Sequence, residues 1–413
     1  MKLDPAREPW MTAPETRAVL DTLTKDGGEA RFVGGVVRNA LLHRPTTDID
    51  IATPLLPGDV TQRLQAAGLA AVPTGIEHGT VTAIAHGKPF EITTLRRDVS
   101  TDGRRATVAF TGDWKEDAGR RDFTINALYA SPAGEVFDYF SGLADLEAGQ
   151  VRFVGDPVTR IREDYLRILR LFRFHAWYGR GEIGADSLRA AAAEKDGIGK
   201  LSGERLQKEL LKLLEAEDPA PVVRVMAASG ILGEVLPGTP NLSRFERLID
   251  IDRSAFFPAD PQLRLAAMLP ANLDFAEASA DRLKLSNADR ERIRDLAGAT
   301  EKIVPWLSIR EARRLLYRLG AQRFRDRVRL RWAEDQKDSN AVQWRALLAV
   351  ADAWQRPIFP LSGKDVMAAG VVEGPLVGRV LSEIEDWWIE SDFAADEFSL
   401  AERLKAVVQA IAY

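Results

Sequence analysis

The chain has 413 residues, 46% of them hydrophobic and 28% charged, which is enough to bury a sizeable core; on size alone it should form roughly two to four domains. Cysteine is absent, which excludes disulfides, thiol catalysis and cysteine-ligated zinc. His43, His78, His86 and His175 are too scattered for a histidine cluster, so any metal must be held by carboxylates. A net charge of -5 argues against broad, nonspecific nucleic-acid binding and leaves room only for a local basic groove. The opening residues MKLDPAREPW carry no basic-then-apolar leader pattern, and no apolar run is long enough to span a membrane. A soluble, cytoplasmic protein is expected.

In chain order, "RFV" (31–33) reads as a strand, Gly34-Gly35 as a tight turn and "VVRNALL" (36–42) as a helix. This order sets backbone N–H groups and a helix N-terminus where an anion can sit, and Gly35 lets phosphate oxygens approach the backbone. A Gly-Gly pair alone is usually no more than a turn. Asp48-Ile49-Asp50-Ile51 then alternates acid and aliphatic, so on a strand both carboxylates face one side while Ile49 and Ile51 enter the core. Two like charges this close repel unless a cation lies between them, and hard oxygen ligands suit Mg²⁺. An acidic strand end at the surface is the ordinary alternative. The glycine turn about a dozen residues upstream favours metal-assisted phosphoryl or nucleotidyl transfer.

"TVTAIA" (80–85) and "FEITTL" (90–95), separated by "HGKP", read as a hairpin. Glu91 shares a face with Thr93 and is either a third carboxylate for the metals or a solvated acid. "RRDVSTDGRRATVAF" (96–110), rich in charge and containing glycine, reads as a mobile surface loop. Near residue 150 the texture changes, and from "RIREDYLRILRLFRF" through "AERLKAVVQAIA" apolar residues recur at three and four. The fold class is therefore α+β, a mixed-sheet head with helices followed by an all-helical remainder. The segment 310–332, with its many arginines, is either a track for nucleic-acid phosphates or a solvated helix face. Trp387 and Trp388 read as core.

The motifs "GGVVRN…DIDIAT", "FEITTLR", "RRDFTINALY", "FDYFSGLADL" and "RIREDYLRILRLFRF" run in order from about residue 30 to 215. Together they resemble the class II tRNA nucleotidyltransferases, the CCA-adding enzymes that share a superfamily with bacterial poly(A) polymerases. "PLSGKDVMAAGVVEGPLVGRVL" resembles tail segments of the same family more loosely. The resemblance implies a nucleotidyltransferase head (1–150), a helical neck with a nucleotide-selecting helix (151–222), a helical body (223–300) and an RNA-binding tail (301–413). It implies that Asp48 and Asp50 bind two Mg²⁺ ions, one activating the RNA 3′-hydroxyl and the other steadying the triphosphate and departing pyrophosphate. It places Gly35 and Arg38 on the nucleotide phosphates, Arg121 near the nucleotide, and Asp122 and Asn126 in ribose recognition or site support. The family pattern usually reads Gly-Gly-x-Val-Arg-Asp; Asn39 here keeps the size of the acid but loses its charge, which weakens an orienting ion pair to a nearby arginine.

On one helix, Asp164 and Arg167 share a face, Arg170 and Arg173 continue at the same spacing, and Ile161, Tyr165, Ile168, Leu169 and Phe172 form the buried stripe. On spacing alone this is a salt-bridged surface. Cytosine and adenine, however, each show a ring acceptor beside an amino donor, whereas uracil and guanine show a ring N–H beside a carbonyl. A fixed Arg donor beside an Asp acceptor suits the first two and opposes the others, with each unsatisfied buried group costing roughly 1–3 kcal/mol. In the family the matching Asp and Arg hold this role. A flexible loop at the place of residues 96–110 serves the family's switch from CTP to ATP, which favours complete CCA addition to tRNA, gripped by its acceptor arm, with CTP and ATP as substrates. Two rivals stand beside this reading. A poly(A) polymerase usually carries an "RRFRLAH"-like segment, absent here, and a catalytically silent RNA-binding protein should have lost the Asp48/Asp50 pair.

Overall fold

The computed structural model describes residues 1–46, 48–102 and 105–411, with the backbone alone for 98–102 and 105–108. Among the described residues nine strands lie in the first third of the chain: β1 (Arg31–Val33), β2 (Asp50–Thr53), β3 (Ala70–Gly75), β4 (Thr80–Ala85), β5 (Lys88–Thr94), β6 (Arg96–Asp102), β7 (Arg105–Phe110), β8 (Leu128–Ala130) and β9 (Val136–Asp138). Seven of them form one mixed sheet in the order β3-β4-β5-β2-β1-β8-β9. Only β2 and β5 run parallel within it, with Asp50 opposite Glu91 and Ile51 opposite Ile92. Alternation of side chains covers both faces. Phe32 packs edge-on to Trp10 on one side, while Val33, Ala52 and Tyr129 join Trp114 on the other.

The helices that matter for the site are α1 (Gly35–Leu41), α2 (Trp114–Gly119), α3 (Pro157–Glu163), α4 (Leu166–Tyr178) and α5 (Gly203–Leu214). No strand follows Asp138 among the described residues. Contacts divide the chain into two compact units, Met1–Pro237 with Asp281–Lys284, and Gly238–Ala280 with the residues from Leu285 onward. Among the described residues no helix is long and apolar enough to cross a membrane.

Three expectations need correction. The strand expected to carry both acids begins only at Asp50, leaving Asp48 exposed before it and Ile49 half-buried, while Ile51 is fully buried. The segment 96–110 is a β6–β7 antiparallel ribbon with Arg96 opposite Phe110 and Asp102 opposite Arg105; cross-strand pairing satisfies a backbone that its composition marked as loop. Residues 103–104 lie outside the described residues. The helix expected to carry Asp164 and Arg167 together breaks between them: Asp164 caps the end of α3 in an extended conformation (φ -156°, ψ 106°) and Arg167 belongs to α4. Tyr165 is accordingly half-buried and Leu166 takes its place in the stripe.

The arginine-rich segment 310–332, read as either a phosphate track or a solvated helix face, is helical. In the second unit it forms α6 (Ile309–Leu319), opened by a Ser308/Glu311 capping box, and α7 (Ala321–Glu334), separated by Gly320 at φ 81°. Its arginines mostly face carboxylates: Arg323 meets Glu291 at 2.6 Å, Arg325 meets Asp352 at 2.9 Å and Arg327 meets Asp295 at 2.8 Å. Arg329 pairs with the buried Asp252. These arginines tie neighbouring helices together. Trp388 is buried and Trp387 packs against the same core, as expected.

Candidate active site

The turn after β1 needs glycine: Gly34 sits at φ 70°, which only glycine adopts without strain, and its N–H bonds to the Leu128 carbonyl at 3.0 Å. A side chain there would also meet Arg121 Nη1 at 3.5 Å. Gly35 opens α1, whose Arg38 is 6% exposed. Arg38 donates from Nη2 to the Tyr178 hydroxyl at 2.8 Å and to Asn39 Oδ1 at 3.0 Å, and from Nη1 to Asn126 Oδ1. Its guanidinium carbon lies 4.0 Å from the Tyr178 ring centroid. Burial pushes its pKa below the usual guanidinium value, against the opposing influence of Tyr178 and Asp122. Asn39 thus meets an arginine through a hydrogen bond to its neutral amide oxygen instead of an ion pair, and Tyr178 supplies a hydroxyl that no local sequence signal announced.

Asp50 is half-buried at the start of β2. Burial first, then Glu91 and, less strongly, Asp48 push its carboxyl up to about 6, with Arg121 opposing. Crowded acids of this kind are relieved by a cation, and the oxygen donors fit a hard divalent ion. Among the described residues no three acid or histidine side chains stand together as a metal-binding group. Asp48 and Asp50 are the two acids that could hold such an ion, a donor number that suits one keeping water and phosphate oxygens. Glu91 neighbours Asp50 in register but is exposed.

Behind this floor, the α2 carboxylate of Asp117 is 1% exposed and accepts from the Tyr129 hydroxyl at 2.6 Å, Arg121 Nη2 at 3.2 Å and Arg120 Nε at 2.8 Å. Burial would raise its pKa, but the two arginines and Tyr129 together hold it down at about 2. Arg121 Nε also donates to the Tyr129 hydroxyl at 3.2 Å, so its guanidinium is braced on two sides. Asp122, 8% exposed, accepts from Arg170 Nε at 2.8 Å, Asn126 Nδ2 at 3.0 Å and the Phe123 N–H at 2.8 Å. Glu209 of α5 completes the chain of contacts, 3.5 Å from Arg170 and 2.5 Å from Arg173.

The break at Asp164 sets the two base-reading candidates on separate supports. Asp164 Oδ1 accepts from the Leu166 N–H at 3.1 Å and Oδ2 from Arg205 of α5 at 2.7 Å. Arg167 pairs with Glu163 and donates to the Arg160 carbonyl at 2.8 Å and the Arg120 carbonyl at 3.3 Å. The two are thus held by different partners. Both line a cleft of about 530 Å³ together with Gly34, Gly35, Arg38, Asp50, Arg121, Asp122, Asn126, Arg170 and Arg173. Asp48 and Glu91 do not line it. Arg120, Phe174 and Lys212 do, and sequence reasoning missed all three. Arg120 was visible as the neighbour of Arg121, whereas Lys212 had only helical periodicity around it.

Residues 30–152 match the family described as Poly A polymerase head domain, and residues 182–242 that described as Probable RNA and SrmB- binding site of polymerase A. The chain is 32% identical over 413 residues to CCA tRNA nucleotidyltransferase 1, mitochondrial, of Mus musculus, covering 94% of this chain and 89% of the relative. It is 31% identical over 404 residues to the CCA-adding enzyme of Limosilactobacillus reuteri, covering 95% and 96% respectively. The crystal structure of the Bacillus stearothermophilus CCA-adding enzyme in complex with CTP superposes with a TM-score of 0.76 at 26% identity, over 96% of this chain and 98% of that one. The Thermotoga maritima CCA-adding enzyme complexed with tRNA shares the fold, with a TM-score of 0.69 at 21% identity. With relatives 31–32% identical matched along nearly its whole length, the chain belongs to the class II CCA-adding tRNA nucleotidyltransferases.

Proposed function

We infer that this protein adds CCA to tRNA 3′ ends from CTP and ATP, without a nucleic-acid template and with release of pyrophosphate. The observation that carries the reading is the single cleft in which the Gly34-Gly35 turn, Asp50 and the separately held Asp164 and Arg167 come together. In the reaction the RNA 3′-oxygen bonds to the α-phosphorus while the bond to the bridging oxygen of the β-phosphate breaks. A pair of Mg²⁺ ions, held by Asp48 and Asp50, would supply activation of the 3′-hydroxyl and neutralisation of the charge on the leaving pyrophosphate.

The chain's own residues do the rest. The glycine turn leaves backbone N–H groups open to phosphate oxygens, and Arg38, whose hydrogen-bond partners are neutral groups, adds an uncancelled charge beside them. Arg121, braced by Asp117 and Tyr129, meets the triphosphate without having to reorganise. Asp122 and Asn126 stand where the ribose lies between the phosphates and the base. Asp164 accepts from the exocyclic amino group of cytosine or adenine, and Arg167 donates to the adjacent ring nitrogen. Arg170 and Arg173 tie α4 to Asp122 and Glu209 and complete the nucleotide surface. The β6–β7 ribbon reaches this machinery through the Arg96 N–H, which donates to Asp117 at 3.2 Å; this supports its use in the change from CTP to ATP. The helical body and tail hold the RNA.

The test uses the purified protein with Mg²⁺ and a tRNA transcript lacking its last three nucleotides, with CTP and ATP added singly and together and the products sequenced. Two cytidines with CTP alone, and CCA then arrest with both, are expected. A long adenosine tail would instead make the protein a poly(A) polymerase, and RNA binding without extension would make it a silent RNA-binding protein. Asp48→Ala and Asp50→Ala should each abolish transfer while leaving tRNA affinity nearly intact; transfer retained in both would refute the metal assignment.

A further inference from the structure

Most cations lining the cleft are already matched to an acid. Arg120 and Arg121 face Asp117, Arg167 faces Glu163, Arg170 faces Asp122 and Arg173 faces Glu209. Lys212 also lines the cleft, is exposed, and has no carboxylate partner among the described residues. Its backbone is nonetheless fixed. The Trp177 indole N–H donates to the Lys212 carbonyl at 2.7 Å, pinning the last turn of α5 against the last turn of α4. One turn earlier, Glu209 is 5% exposed and holds Arg173.

The helix α4 acts as a ruler along the cleft. Arg167, near its start, stands with Asp164 at the base-reading end. At its far end Tyr178 contacts Arg38, beside the glycine turn, and Trp177 contacts Lys212. The rise between Arg167 and Trp177 is about 15 Å, comparable to a nucleoside triphosphate extended from base to terminal phosphate. We propose that Lys212 binds the β- and γ-phosphates of the incoming nucleotide, and hence the departing pyrophosphate. A lysine ammonium is suited to this as a compact charge that can follow the phosphates as they separate from the α-phosphorus. The assignment rests on the nucleotidyl-transfer reading and adds a contact outside the motifs from which that reading was drawn.

The experiment measures Lys212→Ala and Lys212→Arg in the full chain. Lys212→Ala should weaken CTP and ATP, by KM and by equilibrium binding without RNA, about tenfold, as expected for loss of a charge-assisted contact. Affinity for CMP, which lacks the β- and γ-phosphates, should not change, and neither should tRNA affinity. The KM for pyrophosphate in the reverse reaction should rise in parallel, and Lys212→Arg should recover most of each loss. Weakened tRNA binding with CTP binding intact would move Lys212 to an RNA backbone phosphate and overturn the proposal, as would an equal loss for CTP and CMP or no loss at all. Because the CTP-against-CMP comparison involves no transfer, it still decides the role of Lys212 should the wild-type protein fail to extend tRNA.

Discussion

Replacing Asp122 with asparagine should destabilise the first unit by an amount that depends on pH in a defined direction. The carboxylate is buried and collects two hydrogen bonds from Arg170, at 2.8 and 2.5 Å, besides those from Asn126 and the Phe123 N–H. Burial alone would raise its pKa; the Arg170 charge and the hydrogen bonds reverse this and hold it at about 2, against an ordinary value of 3.8. A folded-state value below the unfolded one means that the ionised group stabilises the fold in full above the unfolded pKa, and that this contribution is lost as pH falls through the folded pKa. The difference is worth on the order of 2 kcal/mol at pH 7 and about half of that at pH 3, nearly vanishing at lower pH. The amide of Asp122→Asn keeps the shape but cannot supply the charge, so the variant should be less stable by about these amounts, plus a smaller constant cost where its N–H₂ faces Arg170. Hydrogen exchange of the α4 backbone amides in a urea series, at pH 7 and pH 3 and corrected for intrinsic rates, reports this unit alone. A deficit that is the same at both pH values, or larger at pH 3, would refute the electrostatic account.

Arg205→Ala releases Asp164 but leaves Arg167 on its own supports, so it should raise UTP incorporation relative to CTP through the exocyclic position. Arg167→Ala should relax rejection of both UTP and GTP; single-turnover incorporation assays check both variants, and unchanged rejection in Arg167→Ala would sink base reading by the protein. Tyr129→Phe removes the hydroxyl shared by Asp117 and Arg121; a stability loss of about 1–3 kcal/mol and a raised KM for CTP are expected, and an unchanged KM would show that Arg121 does not need this brace. Arg244, 7% exposed, donates to the carbonyls of Ala266 at 3.0 Å and Ala267 at 2.9 Å and pairs with Glu334 at 2.9 Å. Arg244→Ala should lower the melting temperature of the second unit, at a cost of about 1–3 kcal/mol for buried carbonyls left unpaired, while CTP binding by the first unit persists; a melting curve like the wild type's would refute this.

What the amino-acid sequence by itself determined is local and periodic. The strand, glycine turn and helix over residues 31–42, the hairpin over 80–95 and the helical remainder each follow from spacings of a few residues, because burial of alternate or three-to-four-spaced side chains is a short-range requirement. Most of the cleft was also visible, because Gly35, Arg38, Asp50, Arg121, Asp122 and Asn126 stand in short motifs. Periodicity nevertheless ran a single helix through Asp164, since a carboxylate capping a break suits the pattern as well as one on a continuous face. Composition made a loop of the β6–β7 ribbon because it does not record which backbone groups pair across it.

Tertiary structure decided how these pieces act together. It placed Glu91 opposite Asp50, set Asp122 against Arg170, Asp164 against Arg205 and Asn39 against Tyr178, and turned Lys212 into the cleft. It also gave the arginines of 310–332 to carboxylates of neighbouring helices. Such partners come from distant segments brought together by packing of the sheet and helices. A polar group is positioned by whatever backbone or charge it meets once water is excluded, and no spacing along the chain encodes that meeting.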